Sequence, residues 1–175
     1  MTHYFIVPGL GNSGSEHWQT YFEQSGNNFI RINQEEWDAP SCNDWVNAID
    51  KAIASFDPST VVLIGHSLGC STIAHWAKQS GKQIKGALLV APSDIENPVY
   101  TFPATGFAPI PKASINFPTI VVASTDDPWV SIERAKLFAE NWGSQFINIG
   151  DAGHINAIAG YGNWDEGLAI LHTLD

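Results

Sequence analysis

Two kinds of apolar pattern alternate along the chain. The first is a short, nearly unbroken run: Tyr4 to Val7, Phe29 to Ile32, Val61 to Ile64, Ile84 to Val90, Thr119 to Ala123 and Gln145 to Ile149. Runs of this length between turn residues read as strands, and strands apolar on both faces belong in a parallel sheet. The second pattern recurs every three or four residues and predicts helices. Trp18, Tyr21 and Phe22 mark one over about 15–25, and Trp45, Val46, Ile49, Ile53 and Phe56 mark another over 43–56. Ile73, Ala74, Trp76 and Ala77 mark a third that ends near Gly81, and two more are predicted over 131–142 and 163–173. Strands and helices in strict alternation imply a three-layer α/β sandwich. With right-handed crossovers, the expected six-stranded parallel sheet has the order 2-1-3-4-5-6.

One segment, 93–116, carries neither period. Pro98, Pro103, Pro109 and Pro111 break any helix or central strand there. It also holds Tyr100, Phe102 and Phe107, aromatic side chains that prefer burial. It leaves the carboxyl end of one predicted strand and returns to the next. It is therefore expected to be a short cap-like loop, with Phe102 and Phe107 shaping a pocket mouth; a passive surface loop is the alternative.

Candidate chemistry sits at the strand ends. Val61-Val62-Leu63-Ile64 runs into Gly65-His66-Ser67-Leu68-Gly69, which fits G-x-S-x-G, and a helix follows. Strand, G-x-S-x-G and helix in succession form a nucleophile elbow, a sharp turn that lifts a serine Oγ above the sheet. The two glycines leave room where side chains would strike neighbouring backbone. An ordinary turn whose serine merely caps the helix is the competing reading. Further partners decide between them: Asp126 and Asp127 follow the fifth strand, and His154 follows the sixth. The order Ser, Asp, His is that of a hydrolase triad, and the carboxyl edge of an open α/β sheet is where sites form.

The loop Pro8-Gly9-Leu10-Gly11-Asn12-Ser13-Gly14 lacks the Gly-Lys-Ser/Thr ending of a phosphate loop. It is better read as half of an oxyanion hole. Leu10 is the first choice of backbone donor and Gly11 the second, with Leu68 supplying the other N–H. Trp129, close to Asp127, and His17, close to the Gly-rich loop, are candidate pocket residues. His66 reads as packed, and no histidine or carboxylate spacing suggests a metal.

Composition narrows the picture further. The 175 residues suit one domain, 1–175, and the formal net charge of −10 comes without any Lys/Arg cluster. Nucleic acid and anionic membrane surfaces are therefore disfavoured as partners. Met1-Thr2-His3 leads directly into the first strand with neither a basic segment nor a cleavage site, and Cys42 and Cys70 share no metal or redox spacing. The expectation is a cytoplasmic protein with two free thiols.

Together, the 8–14 loop with His17-Trp18, the Gly65–Gly69 pentapeptide, Ser124 to Pro128, and Gly153-His154-Ile155-Asn156 resemble one family: the small α/β-hydrolases related to retinoblastoma-binding protein and to YdeN. The tail Gly160-Tyr161-Gly162-Asn163-Trp164 is similar too. The resemblance implies a compact serine hydrolase with Ser67 as nucleophile and His154 as base. It implies Asp127 rather than Asp126 as the acid, because the family's acid directly precedes a proline. The expected reaction is cleavage of an ester, thioester or amide of a small-molecule acyl substrate through an acyl-enzyme, with no cofactor. Two other readings are acyl transfer to an acceptor other than water, and a hydrolase fold kept for binding a protein partner.

Overall fold

A computed structural model describes all residues, Met1–Asp175. Six strands form one parallel sheet: β1 (His3–Val7), β2 (Phe29–Arg31), β3 (Val61–His66), β4 (Gly86–Val90), β5 (Thr119–Ala123) and β6 (Gln145–Asn148). Their order is β2-β1-β3-β4-β5-β6, and every neighbouring pair is parallel. The helices are α1 (Trp18–Gln24), α2 (Cys42–Ile53), α3 (Leu68–Ser80), α4 (Ile132–Trp142) and α5 (Asp165–Leu171). None is long and apolar enough to cross a membrane.

The period of two along each central strand divides the core. Phe5, Val7, Val61, Leu63, Leu89 and Val121 face α2, α3 and α4, where Trp45, Ile49, Ile73, Trp76, Phe138 and Trp142 pack on them. Tyr4, Ile6, Val62, Ile64, Leu88 and Val122 face the other way, onto Trp18, Phe22, Trp164 and Leu171. Side chains alternate across a strand, so a run apolar at every position feeds two cores and produces three layers. Each fully buried aliphatic side chain contributes roughly 1.5–3 kcal/mol, which makes β3, buried throughout, the natural centre of the sheet.

Two helix starts differ from the sequence expectation. α1 begins at Trp18, not near Ser15, because His17 caps it: its Nδ1 accepts from Gln19 N–H at 3.2 Å. α5 begins at Asp165, after Trp164 has turned its ring into the second core against Trp18 at 5.3 Å.

The 93–116 segment contains no helix or strand. Its ends are tied down by specific contacts. Arg134 of α4 pairs with Asp94 at 3.1 Å and with Glu96, and Trp142 Nε1 donates to Pro111 O at 2.8 Å. In the middle, Thr105 exchanges backbone hydrogen bonds with Pro40 and Cys42, each 2.9 Å. The second half thus lies on α2 and α4, burying Phe107, Ile110 and Ile115.

Candidate active site

Ser67 stands between β3 and α3 with φ 54° and ψ −120°, a conformation that disfavours any residue but glycine. The turn survives because its neighbours concede space. A Cβ on Gly69 would collide with the Val7 carbonyl oxygen, and one on Gly9 would lie 2.9 Å from Ser67 Cβ. The Gly9 loop therefore rests directly against the serine.

His154 lies after β6, and its Nδ1 is 2.8 Å from Asp127 Oδ2 and 3.0 Å from Oδ1. The Asp127 side chain is fully buried. Its Oδ1 also accepts from Trp129 N–H at 2.8 Å, which fixes the carboxylate plane. Asp126 has a different task. Its Oδ1 accepts from Ser124 Oγ at 2.7 Å, Ala152 N–H at 2.8 Å and Gly153 N–H at 2.7 Å. These bonds to the charged form hold the Asp126 carboxyl below the usual range, the Ser124 hydroxyl contributing most. Asp126 thus staples the β6–His154 loop to the end of β5. Two more bonds fix the far side of that loop: His66 Nε2 donates to His154 O at 2.9 Å, and Trp18 Nε1 to Ile155 O at 2.9 Å.

Ser67 and His154 open into one cleft of about 270 Å³, lined also by Leu10, His17, Trp129 and Phe102. A second depression of about 400 Å³, between β2 and α2, is lined by no serine, cysteine or histidine. Tyr100, Phe102 and Trp129 make one aromatic patch in the cleft, Phe102 lying 5.2 Å from each of the other two ring centroids. Asn12 and Asn156 supply amides, and no Lys, Arg, Asp or Glu lines the cleft.

The two oxyanion candidates are separated by their hydrogen bonds. Gly11 N–H donates to Trp37 O at 3.0 Å, whereas Leu10 N–H has no acceptor within the protein. Leu68 N–H, at the first position of α3, has none either.

Phe107 is a correction. It is 1% exposed and absent from the cleft, packed edge-on against Trp45 at 5.8 Å beneath the 93–116 segment. A proline-rich stretch carries no period to show which of its aromatic residues faces which side. Only the first part of the segment, through Ser93, Tyr100 and Phe102, reaches the cleft. Ser93 is a residue the sequence reading missed. Its buried Oγ lies 2.6 Å from Ser67 Oγ, and Ser67 makes no hydrogen bond to His154 in this conformation. The one available signal was its position just past the end of β4, adjacent to β3.

His66 also borders the cleft, neutral and buried. Desolvation, with the neighbouring His17 and His154 rings, pushes its pKa well below the ordinary imidazole value. Burial raises both thiols, that of Cys42 to about 11, so neither is a nucleophile near neutrality. No group of three or more His, Cys, Asp and Glu side chains is arranged to hold a metal ion.

Fold and site place the chain among the α/β-hydrolases. A profile of the serine hydrolase family matches residues 4–173, and the chain belongs to that family. A YdeN-like hydrolase from Pectobacterium atrosepticum is 35% identical, with a TM-score of 0.88 over 99% of this chain and 90% of its own. The ydeN product of Bacillus subtilis is 18% identical, with a TM-score of 0.81 over 99% and 98%. Est1E of Butyrivibrio proteoclasticus, a structure with bound ferulic acid, is 14% identical, with a TM-score of 0.70 over 99% and 86%. The last two likenesses concern the fold. No curated protein matches the chain significantly.

Proposed function

We propose that the chain hydrolyses an ester, thioester or amide of a small, uncharged acyl compound through an acyl-enzyme on Ser67. One observation carries this reading: the strained Ser67 shares a cleft with His154, whose Nδ1 is held by the buried Asp127 at 2.8 Å. That bond keeps the Nδ1–H tautomer, which leaves Nε2 free as a base. Ser67 Oγ turns from Ser93 toward Nε2, gives up its proton and attacks the carbonyl carbon. The N–H groups of Leu10 and Leu68 receive the developing oxyanion. His154 then passes the proton to the leaving group, and a water molecule repeats the sequence to release the acid. Contacts of this kind are commonly loose before substrate binds, so the Ser67–Ser93 bond is compatible with the role.

A cleft without formal charge supports neutral substrates, and a volume of about 270 Å³ supports small ones. The test combines a fluorophosphonate probe with a panel of esters graded by acyl length. Labelling should map to Ser67. Ser67→Ala should remove labelling and cut turnover by on the order of 10⁶ while the protein stays folded. Turnover that persists in purified Ser67→Ala would refute the mechanism.

A further inference from the structure

We infer that His17 is a substrate-recognition residue, its Nε2–H donating to an uncharged oxygen acceptor on the substrate outside the scissile carbonyl. The inference rests on the serine-hydrolase reading above and adds a requirement to its substrate.

His17 precedes α1 in an extended conformation, and its Nδ1 accepts the Gln19 N–H. An Nδ1 that accepts carries no proton, so in the neutral ring the proton is on Nε2. The ring is neutral: burial chiefly, with Arg31 and then His154 nearby, holds its pKa down at about 4. Nε2–H is therefore a fixed donor, and it has no acceptor within the protein, since the Gln19 bond is the only one the side chain makes. His17 is only 6% exposed, and it borders the cleft that holds Ser67 and His154. Its ring lies edge-on to His66 at 4.6 Å, which restricts its rotation.

Once a ligand fills the cleft and shuts out its water, a donor there with no protein partner weakens binding of any ligand that fails to supply an acceptor. The asymmetry makes such a group selective: a site built to form a hydrogen bond rejects the analogue lacking it more strongly than an apolar site rejects an added atom. The acceptor must be uncharged, because no cationic side chain in the cleft is available to balance a carboxylate or phosphate. The substrate class is then a small ester carrying an ether, hydroxyl or further carbonyl oxygen beside the bond that is cut, with its apolar part against Tyr100, Phe102 and Trp129.

The test uses two pairs of esters in which an ether oxygen replaces a methylene group. Ethyl methoxyacetate against ethyl butanoate probes the acyl side; 2-methoxyethyl butanoate against butyl butanoate probes the leaving-group side. Each ratio of kcat/KM is divided by the ratio of alkaline hydrolysis rates, which removes intrinsic reactivity. The wild-type enzyme should favour the oxygen-bearing member of at least one pair by about tenfold. His17→Asn keeps an oxygen able to cap α1 but is too short to replace Nε2–H, and the preference should fall toward unity. His17→Gln, whose amide N–H reaches the Nε2 position, should retain much of it. Equal wild-type turnover of both members in both pairs, turnover of neither by a protein that labels at Ser67, or an unchanged preference in His17→Asn overturns the role of His17. Absence of fluorophosphonate labelling at Ser67 instead overturns the serine-hydrolase reading, and this inference with it.

Discussion

Asp127→Asn should be far more damaging than its conservative look suggests, and the reason is a backbone amide. Trp129 N–H donates to Asp127 Oδ1 at 2.8 Å, while Oδ2 lies 2.8 Å from His154 Nδ1. In the asparagine variant, Trp129 N–H still needs an acceptor, so the amide oxygen stays on its side. The amide NH₂ must then take the place of Oδ2 and face Nδ1. An amide donor at the 2.8 Å position opposes Nδ1–H and leaves it only the longer 3.0 Å contact to the oxygen, so the imidazole favours the proton on Nε2. That tautomer cannot accept the Ser67 proton. The expected loss is roughly 10⁴ in kcat, or about 5.5 kcal/mol of barrier, with KM little changed. Asp126→Asn provides the control. All three donors to Asp126 converge on Oδ1, and an amide oxygen can accept them all. Its kcat should stay within about tenfold of wild type. Ester turnover and the rate of fluorophosphonate labelling are measured on both variants, with near-ultraviolet circular dichroism to confirm folding. An Asp127→Asn enzyme within tenfold of wild type, or a larger loss in Asp126→Asn, would refute the tautomer argument.

Ser93→Ala removes the one protein partner of Ser67 Oγ; we expect a loss of up to about tenfold in kcat with KM unmoved, and a rise in kcat would mean that Ser93 instead holds the serine away from His154. Phe102→Ala, at the cleft, should change the ranking of esters by acyl size by roughly tenfold. Phe107→Ala, in the core, should cost about 3–5 kcal/mol of stability and leave that ranking alone, as ester panels and urea melts would show. Acid should weaken the fold through its buried imidazoles. His17 has its pKa lowered from 6.5 to about 4, and His66 is lowered too. Below pH 6.5 the unfolded chain therefore binds protons that the folded one refuses. Stability should be complete above pH 6.5 and fall toward pH 4, by roughly 3 kcal/mol from His17 alone; urea midpoints that are flat across this window would contradict it.

What could be read from the sequence was whatever depends on neighbours along the chain. β3 shows in Val61 to Ile64 because a strand buried on both faces must be apolar at every position. The elbow shows in Gly65 and Gly69 because the close approach of backbone there excludes any side chain. Sheet order followed as well, since right-handed crossovers leave few ways to connect six parallel strands. Position at the strand end left the acids as a pair; only the family resemblance, through the proline after Asp127, preferred one of them. Asp126 and Asp127 differ by one residue, and only the folded β5 and β6 ends direct one to the amides of Ala152 and Gly153 and the other to His154 Nδ1.

The remaining features belong to the tertiary structure. Leu10 is separated from Gly11 by Trp37 O, which occupies the Gly11 N–H from a loop beyond β2. Phe102 and Phe107 sit five residues apart in a segment without a period, and only the surfaces beneath them, the cleft for one and Trp45 for the other, assign their roles. Ser93 meets Ser67 across 26 residues of sequence because β3 and β4 end side by side. Periodicity reports which face of an element is buried; where the element has no period, or the contact joins two strand ends, only the packed chain decides, because the partner is brought there by the fold and by nothing adjacent in the sequence.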